Sequence, residues 1–205
     1  MSNLYSLAVG VGTKNSRDEW LEVFYPTPLL YPEAALEDIF RVSFGMDFGE
    51  IEPSSEQLAA LESALRHNGH TDLAANIAML AESNRPVVAV MLAQDSAPAS
   101  VPEGYLKLHL LSHRLVKPHG TDLTGIFGAL KNIAWTSAGA IDIDELPERL
   151  LKARMAGQPL SVDCVDKFPK MVDYVVPTGI RIADTSRVRL GAYVGEGTTV
   201  MHEGF

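Results

Sequence analysis

An aliphatic residue returns at every sixth position in the last part of this 205-residue chain. The aliphatic positions are Val176, Ile182, Val188, Val194 and Val200. The position four residues after each is mostly small, and these positions are Ile180, Ser186, Ala192, Thr198 and Gly204. A strand repeats every two residues and an α-helix every 3.6, so neither gives a period of six. The pattern is typical of a parallel β-helix built from hexapeptides.

A six-residue repeat fits one side of a three-sided coil, with a short strand followed by a corner. The aliphatic side chain points into the narrow interior, and the small residue leaves room for the bend. Gly179, Gly191, Gly195 and Gly197 suit the corners, where the backbone often needs a positive φ. We therefore expect successive coils to pair through parallel backbone hydrogen bonds.

Five hexads make less than two coils, whereas repeat folds need roughly three or more units and protective caps. We therefore expect the natural protein to continue past Phe205, with this chain as its truncated beginning. The alternative is that the pattern arose by chance in an ordinary β-rich tail.

The rest of the chain predicts an α/β fold with three sections: an N-terminal α/β domain over residues 1–97, a mixed connecting section over 98–173, and the first coils of the β-helix over 174–205. Strands are predicted at 4–12, 20–25 and 87–92, the last of these a continuous apolar run. Ser54 and Gln57 predict a capping box before a helix that ends near Gly69. Residues 94–102 resemble a linker, and 105–116 and 146–155 predict helices.

The amino-acid composition limits the possible binding partners and the cellular compartment of this chain. The net charge of −9 and the pI near 5.1 argue against nucleic acid, because phosphate binding needs clustered Lys and Arg. The single cysteine, Cys164, cannot form an internal disulfide, which favours a reducing cytoplasm. No stretch approaches the roughly 18 apolar residues of a membrane span, and the N-terminus lacks the features of a signal peptide.

Histidines offer the only conspicuous metal-ligand spacings. His109 and His113 lie four residues apart in a predicted helix, but no third ligand follows at a diagnostic spacing, so a packing role is favoured. His202 and Glu203 lie in the repeat. If three chains surrounded a threefold axis, one glutamate from each could bind a hard cation such as Mg²⁺. The alternative for Glu203 is a solvated residue at a corner.

Three segments resemble the tetrahydrodipicolinate N-succinyltransferase family, in the form found in pseudomonads. They are SLAVGVGT near the start, YLKLHLLSHRLVKPH at 105–119, and VDKFPKMVDYVVPTGIRIADTSRVRLGAYVGEGTTVMHEGF at 165–205. The resemblance implies transfer of a succinyl group from succinyl-CoA to the amino group of ring-opened tetrahydrodipicolinate, in diaminopimelate and lysine biosynthesis. It also implies a homotrimer whose β-helix is left-handed.

The resemblance carries one functional residue over, the glutamate of MHEGF, which is Glu203 here and is a Mg²⁺ ligand at the trimer axis in actinobacterial members. The second ligand in those members is an Asp, and the matching position here is Ser186. A neutral hydroxyl is a poorer Mg²⁺ ligand than a carboxylate. By residue type, Arg187 and Arg189 are candidates for binding the anionic acceptor, with a ladder of surface arginines as the alternative.

The catalytic residues are expected after Phe205, so we expect this chain to be inactive alone. The reaction itself needs no cofactor. Two other functions stay open from the sequence. One is a non-catalytic module that mediates trimerisation, and the other is a hexapeptide-repeat carbonic anhydrase, in which His202 would be the only histidine of the repeat.

Overall fold

The computed structural model describes residues 4–202. Within that range the chain forms ten strands and six α-helices. The strands are β1 (Ser6–Lys14), β2 (Trp20–Phe24), β3 (Leu29–Leu30), β4 (Gly49–Ile51), β5 (Val87–Leu92), β6 (Ile133–Thr136), β7 (Gly139–Asp142), β8 (Val162–Asp166), β9 (Arg181–Ile182) and β10 (Thr199–Val200). The helices are α1 (Ala34–Phe44), α2 (Ser55–His67), α3 (Thr71–Ala81), α4 (Val101–Ser112), α5 (Ile126–Ala129) and α6 (Leu146–Met155).

The N-terminal sheet has the strand order β2-β1-β5-β4, with β3 paired to the start of β1, and all of its pairs are antiparallel. Alternate residues of β1 and β5 enter different cores. Leu7 and Met91 pack with α1, α2 and α3, whereas Ala8 and Val90 pack with α4. Both faces of the sheet are therefore covered. This explains why β5 is a continuous apolar run, and the strand predicted at 87–92 is confirmed.

Helix α2 begins where the sequence predicts. The Ser54 hydroxyl accepts a hydrogen bond from the Gln57 amide at 3.2 Å, and the Gln57 side chain accepts one from the Ser54 amide at 3.0 Å. Both halves of the capping box are present, so two of the four unpaired amides at the helix start are satisfied. The helix buries Leu61 and Leu65 against its neighbours.

Helix α4 begins earlier and ends earlier than the helix predicted at 105–116. Ser100 is its N-cap and accepts from the Glu103 amide, and Pro102 lies in the first turn, where its missing N–H costs nothing. The predicted linker at 94–102 therefore overlaps the helix start, and its small residues act as a cap. The helix ends at Ser112, since Arg114 adopts a left-handed φ of 63°.

A second sheet, with the order β7-β6-β8, is antiparallel throughout. Helix α6, which follows β7, agrees with the helix predicted at 146–155 and has no buried residue. Within residues 4–202, no helix is long and apolar enough to cross a bilayer.

The repeat brings β9 and β10 together as a parallel pair, in which Val200 lies beside Ile182, three hexads earlier in the chain. Val188 and Val194 are buried as the pattern predicts. Val176 is not, since 70% of it is exposed while the adjacent Val175 is buried. Its segment directly follows the 3₁₀ turn Met171–Asp173 and has not yet entered a repeating strand.

Helix α4 also supports the repeat. Its Ser112 hydroxyl donates to the carbonyl of Ala192 at 3.1 Å and accepts from the Gly191 amide at 2.9 Å. Arg114, just past the helix, donates to the carbonyl of Val194 at 2.7 Å. One hydrophobic core joins α4, the N-terminal sheet and the repeat, and so crosses both section boundaries predicted from the sequence.

Candidate functional site

A cleft of about 410 Å³ opens between the N-terminal sheet, the second sheet and the segment that leads into the repeat. We call it the inter-sheet cleft. The residues that line it include Thr13, Glu22, Arg85, Trp135, Lys170 and Tyr174. They come from β1, β2, the loop before β5, β6 and the 170s segment, so only the folded chain assembles them.

Glu22 is the most buried acid of the cleft, with 8% of the residue exposed. It lies opposite Thr13 in the β1–β2 pair. One carboxylate oxygen accepts from the Thr13 hydroxyl at 2.6 Å, and the other accepts from the Tyr174 hydroxyl at 3.0 Å. Burial raises the pKa of Glu22, and the two hydroxyls oppose that rise only in part.

Arg85 extends this network. Its Nη1 donates to the Thr13 hydroxyl oxygen at 2.7 Å, so Thr13 accepts from Arg85 while it donates to Glu22. On the other side of the cleft, the Lys170 ammonium pairs with Asp163 at 3.1 Å. The charged groups of the cleft are therefore the Lys170–Asp163 ion pair, Asp173, and the Glu22 carboxyl and Arg85 guanidinium, which share the Thr13 hydroxyl as a hydrogen-bond partner.

The histidine pair does not form a metal site. His109 is fully buried, its Nδ1 lies 2.7 Å from the Tyr105 carbonyl, and its Nε2 accepts from the Tyr25 amide at 3.2 Å. The hydrogen therefore sits on Nδ1, and the ring is neutral. Burial lowers the pKa of His109 to about 3, against a small opposing effect of the Tyr105 carbonyl. His113 stacks on it with ring centroids 6.1 Å apart, and the predicted packing role is confirmed for His109.

Arg187 and Arg189, the predicted acceptor-binding residues, both have partners within the chain. The Arg189 Nε donates to Asp166 at 2.9 Å and its Nη1 to the Ser186 carbonyl at 2.9 Å. The Arg187 Nη1 donates to the Met201 carbonyl at 2.5 Å. Arg189 is therefore neutralised by a carboxylate, whereas among residues 4–202 Arg187 hydrogen-bonds to a carbonyl and interacts with the charge of Asp184 without an ion-pair contact.

Both arginines line a second, more open cavity of about 640 Å³, which the repeat forms with α4 and α5. Its wall is largely apolar and includes Phe127 and Phe168, whose rings meet edge to face at 5.2 Å. The structure therefore brings the two predicted arginines to one cavity.

Of the two positions considered for magnesium, Ser186 lies among the described residues and Glu203 does not. Glu203 lies outside the described range. The amide and hydroxyl of Ser186 both donate to one oxygen of Asp184, at 2.9 and 2.6 Å, so Asp184 caps the 3₁₀ turn Thr185–Arg187. These bonds lower the pKa of Asp184, and the charge of Arg187 contributes less. Within residues 4–202, no group of three or more His, Cys, Asp or Glu side chains could hold a metal.

Sequence reasoning missed the Glu22 network. One signal was available, because Glu22 interrupts the otherwise apolar strand WLEVF, and a polar residue in a buried strand needs partners. Those partners could not be identified, since Tyr174 is 152 residues away in the chain.

Comparison with known proteins gives one consistent answer. The family model described as tetrahydrodipicolinate N-succinyltransferase middle matches residues 130–170. A 2,3,4,5-tetrahydropyridine-2,6-dicarboxylate N-succinyltransferase of Pseudomonas putida is 58% identical over 208 residues, covering all of this chain and 60% of that protein. The protein of the same name from Pseudomonas paraeruginosa is 57% identical, and the match covers 99% of this chain and 59% of that protein. The predicted resemblance is confirmed: this chain is similar to the pseudomonad tetrahydrodipicolinate N-succinyltransferases over its whole length.

A solved structure agrees with the sequence comparison. The crystal structure of a putative 2,3,4,5-tetrahydropyridine-2-carboxylate N-succinyltransferase from Campylobacter jejuni superposes with a TM-score of 0.85 at 26% identity. The match covers 57% of the Campylobacter jejuni chain and 98% of this chain. The chain thus spans about three-fifths of the length of the relatives it matches. The matched middle region, 130–170, coincides with the second sheet and α6.

Proposed function

We propose that this chain forms part of an acyltransferase that moves a succinyl group from succinyl-CoA to the amino group of ring-opened tetrahydrodipicolinate. This is a step towards diaminopimelate and lysine. One observation carries the proposal: identity of 55–58% extends over 98–100% of the chain to four proteins with that name. The single cysteine supports a cytoplasmic location for the enzyme.

The reaction requires an unprotonated amine, a polarised thioester carbonyl, and both substrates held within attack distance. The nitrogen forms an amide bond as the carbon–sulfur bond breaks, and the thiol leaves with a proton. We propose that Arg187 contributes to binding the anionic acceptor, since no carboxylate is within ion-pair distance of it among the described residues. Arg189 is a weaker candidate, because its pairing with Asp166 already neutralises it.

We also propose that the repeat is the start of a left-handed parallel β-helix, as the resemblance implies. The parallel pairing of β9 with β10 at a spacing of three hexads supports this, since three sides make one coil. Positive φ angles at Gly179, Gly191 and Gly197 support the corners.

Homotrimer formation and the magnesium site remain proposals as well. The described residues do not favour the metal, because position 186 offers a neutral hydroxyl that already donates to Asp184. Magnesium is therefore assigned no step in the reaction, and Glu203 is its only proposed ligand in this chain.

A chimera tests the proposed function. These 205 residues replace the matching part of the Pseudomonas putida enzyme, and thiol release from succinyl-CoA is measured with and without the acceptor. We expect a rate within about tenfold of the unaltered Pseudomonas putida enzyme, equivalent to about 1.4 kcal/mol in the barrier. A chimera that assembles like the unaltered enzyme but transfers no succinyl group would contradict the proposal.

The isolated chain is expected to show no succinyl transfer, because it spans only about three-fifths of its active relatives. The alternative function is a non-catalytic assembly module. It is favoured if the isolated chain forms a trimer by light scattering while the chimera is inactive.

A further inference from the structure

Glu22 is a buried carboxyl that forms no ion pair among the described residues, and the charge of Arg85 acts on it without a direct contact. Only 8% of the residue is exposed, and among residues 4–202 no Lys, Arg or His nitrogen pairs with it. Leaving a carboxylate buried and unpaired costs several kcal/mol, so such groups are normally paired or neutralised. The Thr13 and Tyr174 hydroxyls occupy two of its roughly four acceptor positions. The remaining positions are available to a donor that enters from the cleft.

Arg85 supplies the opposite charge at the same place. Its guanidinium donates to the Thr13 hydroxyl that also holds Glu22, and within the described residues no carboxylate pairs with it. A guanidinium has five N–H donors in a planar fork that matches a carboxylate. The Glu22 carboxyl and the Arg85 guanidinium thus both hydrogen-bond to the Thr13 hydroxyl, and neither is in a direct ion pair among the described residues. Lys170 pairs with Asp163 and also interacts with the charge of Asp173, the third acid that lines the cleft.

The walls beside these charges are aromatic. Tyr174 packs against Trp135 with ring centroids 6.4 Å apart and against Phe24 at 6.3 Å. The volume of about 410 Å³ lies within the range of small-molecule sites. Aromatic walls near a carboxylate also favour an ammonium group, through its attraction to the ring faces.

We propose that the inter-sheet cleft binds an α-amino acid as its zwitterion, with the ammonium on Glu22 and the carboxylate on Arg85. An α-amino acid carries these groups on one carbon, and this matches two side chains that share one hydroxyl partner. The proposal does not rest on the transferase activity, because it uses only residues of this cleft.

A set of matched compounds tests the proposal on the unaltered chain. L-norleucine carries both charges, hexanoate lacks the ammonium, and pentylamine lacks the carboxylate, while all three share an aliphatic chain. Binding is measured by calorimetry and by the intrinsic fluorescence of the two tryptophans, of which Trp135 lines the cleft. We expect saturable binding of L-norleucine and at least about tenfold weaker binding of each analogue. The absence of saturation by L-norleucine up to about 10 mM, or equal binding of either analogue, overturns the proposal.

Variants separate ligand binding from a merely structural role. Glu22→Gln keeps two hydrogen-bonding atoms and the side-chain shape but removes the charge, and Glu56→Gln makes the same change at an exposed position of α2. We expect Glu22→Gln and Arg85→Gln each to weaken L-norleucine binding at least about tenfold and Glu56→Gln to leave it unchanged. Unchanged affinity in a folded Glu22→Gln protein, judged by circular dichroism, would refute the assignment even if its melting temperature fell.

Discussion

Acidification should destabilise this chain through His109. The folded state holds this imidazole neutral with a pKa of about 3, because burial penalises the charged ring more strongly than the Tyr105 carbonyl favours it. In the unfolded chain an ordinary histidine titrates near pH 6.5. The unfolded state therefore binds a proton that the folded state does not bind. As a result, the free energy of unfolding decreases as the pH drops from about 6.5 towards 3.

The magnitude follows from these two pKa values. Between pH 7 and pH 5 the unfolded histidine becomes almost fully protonated, while His109 in the folded chain stays almost fully neutral. At 1.36 kcal/mol per unit, this linkage removes about 2 kcal/mol from the free energy of unfolding over that interval. Such a loss is a large fraction of the usual stability of a domain.

Denaturant unfolding of the unaltered chain and of His109→Gln, each at pH 7 and pH 5, measures the effect. Glutamine can donate to the Tyr105 carbonyl and accept from the Tyr25 amide, but it does not titrate. We expect the unaltered chain to lose about 2 kcal/mol more than His109→Gln between the two pH values. His67→Gln, at an exposed position of α2, is the control and should keep the original pH dependence. If His109→Gln shows the same pH dependence as the unaltered chain, the buried neutral imidazole does not cause that dependence, and this prediction is wrong.

Substitutions at three further positions test the packing around α4 and α2 by denaturant unfolding. Gly191→Ala should cost roughly 1–3 kcal/mol, because the added methyl group would lie 2.5 Å from a Leu108 methyl group and φ is +97°; no loss would contradict this contact. Lys107→Met should lower the free energy of unfolding by about 3 kcal/mol, because the buried ammonium bonds to Asp95 at 2.5 Å. An unchanged denaturation midpoint would show that this ion pair does not stabilise the fold. Ser54→Ala should cost about 1 kcal/mol by removing the cap of α2, and Ser54→Asp should restore most of it.

Local signals in the sequence were sufficient for much of the fold. The apolar run at 87–92 and the capping box at Ser54 each depend on neighbours in the chain, and both are confirmed. The bounds of α4 were wrong because the Ser, Ala and Pro residues before it suit both a linker and a helix cap. The inward position expected for Val176 was wrong, since Val175 is the buried residue there and periodicity alone does not show which of two adjacent valines faces the core.

The inter-sheet cleft could not be predicted for a physical reason. Its residues come from strands and loops that lie far apart in sequence, and neither Glu22 nor Arg85 belongs to a motif with fixed spacing. The predicted arginines did reach a common cavity, because Arg187 and Arg189 are neighbours in one repeat.

The position of α4 between the sheet and the repeat has a thermodynamic consequence. Tyr105, Leu108 and Leu110 belong to one apolar cluster with both partners, so neither partner can melt without exposing this helix to water. We therefore expect calorimetry to show a single heat-absorption peak rather than two. A small molecule that binds the N-terminal sheet and stabilises it would then also raise the melting temperature of the repeat, although it makes no contact with the repeat.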